Sequence, residues 1–291
     1  MRRSAMFILW LIMANAARPA VLLSEDENRE GSPLLTVSAN LFGPTFELVT
    51  LDVHGENATL VLPIRAEAEN PCWSPDCRKI AYRSHKSGQF QLYVYDFDAD
   101  KEANFTNTTS GEFEPTWSPD AKKMVFTSLR TGNHELFVVN ADGSNPINLT
   151  NKPSFDSDPT WSPDGTKIAF GSDRGGAWRL YVMDADGSNV RDVLGQTLLA
   201  WTGPSWSPDG NQIAYVGPKN GSLQVFVVNV DGKGAEAITD SPGANAWPAF
   251  SPDGRYIVGG GRNRYHLAAK LVSVTRLPNE RRRRFAGGML A

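Results

Sequence analysis

Short stretches in which apolar and polar positions alternate recur along the chain, each closed by a polar turn. Lys167-Ile168-Ala169-Phe170 and Leu180-Tyr181-Val182-Met183 are examples, and their period of two is that of half-buried β-strands. The stretches return as a block. Pro71-Cys72-Trp73-Ser74-Pro75-Asp76 recurs around Trp117, Trp161, Trp206 and Phe250, each followed by Ser-Pro-Asp, and these five aromatic positions lie 44, 44, 45 and 44 residues apart. Each copy continues with a strand-like stretch, a polar turn, a second such stretch, an Asp-Gly pair and often a Leu-Thr ending. One repeat therefore supplies four strands.

The turn chemistry orders them. Ser162-Pro163-Asp164-Gly165 has the residues of a type I turn, so a hairpin joins the first and second strands. Asp142-Gly143, Asp186-Gly187 and Asp231-Gly232 separate the third and fourth strands, where two-residue turns with positive φ are expected. A four-stranded antiparallel sheet cannot bury both faces alone, so neighbouring repeats should stack radially, with each Trp packed between blades. Leu48-Val49-Thr50-Leu51-Asp52 precedes Leu92-Tyr93-Val94-Tyr95-Asp96 by 44 residues and extends the period backwards. The expected fold is all-β: a six-bladed β-propeller of four-stranded antiparallel blades over residues 33–275, five complete or near-complete repeats after a partial N-terminal one. Residues 276–291 form a basic tail without a convincing fourth strand, and Cys77 and Ala121 replace the turn Gly in two copies. Ala20-Val21-Leu22-Leu23, in the segment 17–32, is either the inner strand of the first blade or an outer strand that completes the last.

The Trp-Ser-Pro-Asp-Gly motifs and the ending Leu180-Tyr181-Val182-Met183-Asp184-Ala185-Asp186-Gly187-Ser188 resemble the TolB-type, WD40-like (PD40) propeller repeat over about residues 33–275. The resemblance implies a periplasmic protein that binds a lipoprotein partner and carries an α/β domain before its propeller. Only about 16 residues separate the expected cleavage site from the first strand. The expectation is thus a TolB-like propeller without that domain.

Composition adds the compartment and removes some function classes. The 291 residues are 41% hydrophobic, enough for a sizeable core, and a net charge of −3 offers no basic field for nucleic acid. Arg2 and Arg3, the apolar run from Ala5 to Met13 and Ala14-Asn15-Ala16 read as an export signal over residues 1–16, whose removal leaves −5 (−3 − 2). The run is too short to span a bilayer, so an integral membrane protein is not expected. Localisation is read as periplasmic or secreted, and the chain as a monomer. The two cysteines, Cys72 and Cys77, lack zinc-site spacing and flank one turn, where a disulfide and simple packing of Cys72 both stay open.

Function should reside on one face, formed by the loops into each first strand and the loops between second and third strands, here called the top. The first set places Glu114, Asp158, Phe113, Phe155, Trp201 and Trp247 around the rim. The second places Lys86, Arg130, Arg174 and Lys219 at 44, 44 and 45 residue intervals, either as a binding ring or as part of the repeat's own bonding. Trp178 is a further candidate in the Gly175-Gly176-Ala177 turn. Aromatic anchors with a mixed charged rim point to protein docking. The favoured reading is a non-enzymatic scaffold for an envelope protein or peptide, with Trp201, Trp247, Phe113 and Phe155 as anchors and Arg130, Arg174, Glu114 and Asp158 as orienting groups. No cofactor or metal is expected, because His85, His134 and His266 fall on separate blades. The alternative is a polysaccharide lyase or hydrolase at the channel mouth, with His85 or His134 and rim carboxylates as acid and base, or the propeller portion of a peptidase-like protein. No Gly-x-Ser-x-Gly elbow accompanies it.

Overall fold

The structure is a computed structural model that describes residues 11–12, 20–22, 34–39, 47–52, 59–62, 67–198, 203–240, 244–254, 256–263, 266–271 and 275–276. Every regular element among them is a β-strand, and no helix there is long and apolar enough to cross a membrane. The strands form six antiparallel sheets. Sheet 1 holds Ala20–Leu22, Leu34–Ala39, Glu47–Asp52 and Thr59–Leu60; sheet 2 holds Glu69–Trp73, Lys79–Ser84, Gln91–Asp96 and Lys101–Asn104. Sheet 3 runs from Glu112–Trp117 through Lys123–Ser128 and Glu135–Asn140 to Ile147–Asn148, and sheet 4 from Asp156–Trp161 through Lys167–Ser172 and Arg179–Asp184 to Arg191–Asp192. Sheet 5 comprises Ser205–Trp206, Gln212–Lys219, Ser222–Asn229 and Glu236–Ala237. In each of these five sheets strands pair in chain order, as consecutive hairpins require.

Sheet 6 differs. Ala244–Phe250, Tyr256–Asn263 and His266–Leu271 are edged by Leu11–Ile12, and Thr275–Arg276 pairs back onto Tyr256–Asn263. Ala20–Leu22 is therefore the first strand of sheet 1, and the added strand on the last sheet comes from Leu11–Ile12 instead.

The Ser-Pro-Asp turns close as i to i+3 bonds, with the fourth-position N–H donating to the Ser carbonyl at 2.8–2.9 Å. That fourth residue has positive φ whether it is Gly165 (+69°), Gly210 (+70°), Cys77 (+57°) or Ala121 (+58°). Each Ser hydroxyl is fixed from two sides: Ser162 Oγ donates to Asp164 at 2.5 Å and accepts from the Lys167 N–H at 2.9 Å. The Asp-Gly turns depart from expectation. Only the Gly takes positive φ, because the turn spans Asn140 to Gly143 with Gly at its last position and Asp142 caps the Ser144 N–H at 2.9 Å. The Thr that ends three repeats, after Phe105, Leu149 and Ile238, also has a physical role: the hydroxyls of Thr106, Thr150 and Thr239 accept from the N–H groups of Leu92, Leu136 and Val225 at 3.1, 3.0 and 2.9 Å.

Between sheets the core is continuous. Trp117, Trp161 and Trp206 are buried between neighbouring sheets, Trp161 for instance among Val125, Leu136 and Val138 of sheet 3 and Ile168, Phe170 and Met183 of sheet 4. The Trp161 and Trp206 indole N–H groups donate to the carbonyls of Thr116 and Thr160 on the preceding sheet, both at 3.2 Å. Four-stranded antiparallel sheets packed face to face in this way are the blades of a propeller. Cys72 packs beside the Trp117 cluster, Cys77 is exposed, and no disulfide joins them.

Candidate functional site: an aromatic row on the top face

The first strands of four sheets carry a bulge just before their proline, between Glu69 and Cys72, Phe113 and Thr116, Ser157 and Thr160, and Ala246 and Ala249. The residue preceding Pro has positive φ in every motif copy: Asn70 (+52°), Glu114 (+56°), Asp158 (+58°), Gly203 (+45°) and Trp247 (+48°). A side chain in that conformation costs about 1–2 kcal/mol, so it persists only where surrounding bonds hold it. Glu114 Oε2 accepts from the Asp158 N–H at 2.9 Å across two sheets and from Thr127 Oγ1 at 2.8 Å. Glu114 and Asp158 are thus buried, 5% and 1% exposed, in the seam between blades. Trp247 is half-buried and lies against Gly203, where a Cβ would stand 2.9 Å from its Cδ1. Trp201 lies outside the described residues.

The basic positions turn back into their own sheets. Arg130 pairs with the buried Glu112 at 3.1 Å, bonds Ser128 Oγ at 2.9 Å and lies 4.4 Å over the Phe137 ring. Arg174 repeats this with Asp156 at 2.8 Å, Ser172 at 3.0 Å and the Phe170 ring at 4.9 Å. Lys86 pairs with Glu102, and Lys219 with Asp240 at 3.3 Å. Burial raises the Glu112 carboxyl above its ordinary range, against the pull of Arg130. The ring of like charge in the sequence is therefore a set of bonds holding each second-to-third-strand loop to its sheet.

The aromatic residues do converge. His85, Phe90, Phe113, His134, Phe155 and Trp178 follow one another across sheets 2, 3 and 4 with ring centroids 5.5, 5.7, 5.6, 3.9 and 6.4 Å apart. His134 is held face to face by Phe113 (9° between planes) and Phe155 (23°). Its burial pushes the imidazole below the usual histidine range, and the Asp158 carboxylate pulls the other way with less effect. Arg83 lies 4.4 Å over Phe90 and 5.3 Å over Phe113, with Glu69 as its ion-pair partner. The backbone beneath is pinned between sheets: the N–H groups of Glu112, Asp156 and Leu198 donate to the carbonyls of Phe90, His134 and Trp178 at 2.8, 3.0 and 2.7 Å.

Of the expected site residues, the structure brings Phe113 and Phe155 together, joins Glu114 to Asp158 in the seam, and ties Arg130 and Arg174 down. Sequence reasoning missed Phe90 and Arg83. Phe90, His134 and Trp178 share one phase of the repeat, 44 residues apart, and that phase was the available signal. Phe113 and Phe155 do not share a phase. The Phe113 ring occupies the space above Gly111, 2.8 Å from where a Cβ would sit, and Gly111 is the repeat equivalent of Phe155. Among the described residues no three His, Cys, Asp or Glu side chains are placed to hold a metal ion.

The family model described as the TolB beta propeller domain, PD40, matches residues 35–198. The chain belongs to this family. The Tol-Pal system protein TolB of Anaeromyxobacter sp. (strain K) is 42% identical over 53 residues, 18% of this chain and 12% of that protein. The Protein TolB homolog of Protochlamydia amoebophila is 43% identical over 49 residues, 17% of this chain and 10% of the relative. Each match thus spans about a tenth of the relative's length. The crystal structure of TolB from Acinetobacter baumannii superposes with a TM-score of 0.67 at 27% identity, covering 79% of this chain and 58% of that one. An oligogalacturonate lyase from Vibrio parahaemolyticus shares the fold, with a TM-score of 0.59 at 14% identity over 82% of this chain and 73% of its own. In this TolB-type propeller the row lies across the PD40 region itself, on loops set by the repeat but with side chains that the repeat does not fix.

Proposed function

We propose that this propeller is an exported, non-enzymatic scaffold that binds a protein or peptide in the cell envelope through its top face. The observation that carries the reading is the aromatic row, laid across three sheets on backbone already pinned between them, so that a partner binds without much loop ordering. Phe113 and Phe155 are the anchors, with Trp178 and Phe90 extending them. Arg130, Arg174, Glu114 and Asp158 serve the rim by fixing its loops. The N-terminal basic and apolar pattern and the Tol-Pal names of the relatives support periplasmic export. The polysaccharide-cleaving alternative draws support from the lyase fold and from His85, which is exposed and lies 3.3 Å from Glu67, whereas its other candidate base, His134, is stacked between two phenyl rings.

The test is capture from an envelope extract by crosslinking to the tagged, exported chain, followed by mass spectrometry. One saturable protein partner whose recovery falls about tenfold or more with Phe155→Ala is the expected result. A folded bait with no partner, together with turnover of a uronic-acid polysaccharide, would replace the scaffold by the enzyme.

A further inference from the structure

Sheets 1 to 5 each end in a short outer strand supplied by their own repeat, whereas the outer edge of sheet 6 is met at Ala268 and Ala269 by Leu11–Ile12, from the other end of the chain. The 15 residues after Arg276 lie outside the described residues. In the five complete sheets one count leads to the outer strand. It starts from the residue paired with the first of the second strand: Asp52, Asp96, Asn140, Asp184 and Asn229. One residue on, Ala141, Ala185 and Val230 pack on the core. Three on, Gly143, Gly187 and Gly232 take positive φ. Nine on stand Val61, Phe105, Leu149, Val193 and Ile238, all apolar, each donating its N–H to a third-strand carbonyl at 2.7–2.9 Å.

In sheet 6 the residue paired with the first of the second strand, Tyr256, is Arg276. From there the count puts Leu277 at the packed position, Asn279 at the positive-φ position and Phe285 at the apolar one. After Gly, Asn is among the residues that adopt left-handed backbone most readily. Apart from Pro278, Leu277 and Phe285 are the apolar side chains of 277–285. Arg283 and Arg284 take the places of Arg191–Asp192 and Glu236–Ala237, which are half-buried or exposed and carry charge. Pro278 replaces the Asp that caps this turn in sheets 3 to 5, so the turn is rebuilt at the same length. The aromatic motif alone hides the match. Arg276 follows Phe250 by 26 residues, whereas Asp96, Asn140, Asp184 and Asn229 follow their Trp by 23, so counting from the motif places Arg282 at the apolar position.

We propose that residues 283–285 form the fourth strand of sheet 6, with Phe285 entering the core and its N–H donating to the Val272 carbonyl. The outer strands of sheets 3 to 5 pair with the third strand two and three residues before its end, as Ile147 does with Val138 and Asn148 with Phe137. Arg283 and Arg284 thus pair with Val274 and Ser273. Leu11–Ile12 lies farther along the same edge, so this strand stays when the export signal is removed. The proposal does not depend on what the top face binds. Its consequence is for self-association: arginines on and beside an outermost strand keep that edge from pairing with a second chain.

Hydrogen exchange on the full exported chain tests this. The Phe285 amide should exchange at least about tenfold more slowly than in the free peptide 277–291. Phe285→Ser should remove that protection and lower the urea midpoint, whereas Arg281→Gln, outside the pairing, should change neither. Should Phe285→Ser fail to fold, protection in the wild type decides alone. An unprotected Phe285 amide, protection centred on Arg282, or an unchanged midpoint in Phe285→Ser would overturn the proposal. So would protection that vanishes in high salt and survives Phe285→Ser, the mark of a tail held on the surface by its arginines.

Discussion

His134 shows how a single residue couples the row to pH. Its imidazole sits between Phe113 and Phe155 and is pushed below the ordinary histidine range by burial. Unfolded, it titrates near pH 6.5. Because the folded pKa is the lower of the two, the unfolded chain binds the extra proton first as pH falls. The contribution is therefore complete above about pH 6.5 and is lost progressively below it, with a slope no steeper than about 1.4 kcal/mol per pH unit for one proton. The carboxylates of Asp76, Asp120 and Asp164, held below their usual range by Ser74, Ser118 and Ser162, act in a separate, more acidic window. Urea midpoints measured from about pH 7.5 to 5 should fall more steeply for the wild type than for His134→Phe, whose remaining slope carries the opposite contribution of the raised Glu112 carboxyl. An equal decline in both would show that the imidazole does not titrate in this window. The role of His134 was only half legible in the sequence. Its place in a top-face turn follows from the repeat, but its two ring neighbours come from different repeat phases, and one of them reaches its place only because Gly111 leaves room.

At the scale of the elements, strands and turns were legible because each rests on local chemistry: alternating burial, Ser-Pro-Asp turns and the Thr that closes a third strand. The bulges were not. The restriction on the residue before proline does not announce positive φ at Glu114 or Asp158, which the structure shows together with a bond from the Asp158 N–H to Glu114 across two sheets. The Asp-Gly turns were read correctly in place and wrongly in type for a similar reason. Their glycines answer to a neighbouring sheet: a Cβ on Gly232 would stand 2.1 Å from the Val193 carbonyl oxygen and one on Gly187 2.7 Å from that of Leu149. Gly221 also has positive φ (+76°) but faces open space. Gly221→Ala should then cost about 1 kcal/mol for backbone strain alone, and Gly232→Ala about 3 kcal/mol, since the joint between sheets must open. Chemical denaturation of the two variants side by side checks this, and equal costs would mean that the joint yields freely.

For the molecule as a whole, repetition made the fold readable, since a period of 44 residues with fixed turn chemistry admits few architectures. The ends of the chain were the difficult part, as a terminal repeat has no neighbour to copy. Leu11–Ile12 pairs with Ala268 and Ala269, yet it lies within the residues read as an export signal. Cleavage after Ala16 and this pairing exclude each other in one chain. N-terminal sequencing of protein recovered from the periplasm is expected to begin at Ala17, leaving His266–Leu271 as an edge to be covered by other means. A sequence beginning at Met1 would instead keep that strand in place and remove the cleavage reading.

The carbonyls of Phe90, His134 and Trp178 are each clamped by the next sheet, while nothing in that clamp involves their side chains. Position and identity are thereby decoupled. On the proposed reading these sites resemble type set in a fixed frame: a change at Phe90 or His134 would rewrite part of the partner face while the clamp on the backbone stays in place, and Trp178 is the exception because its ring also packs on the core.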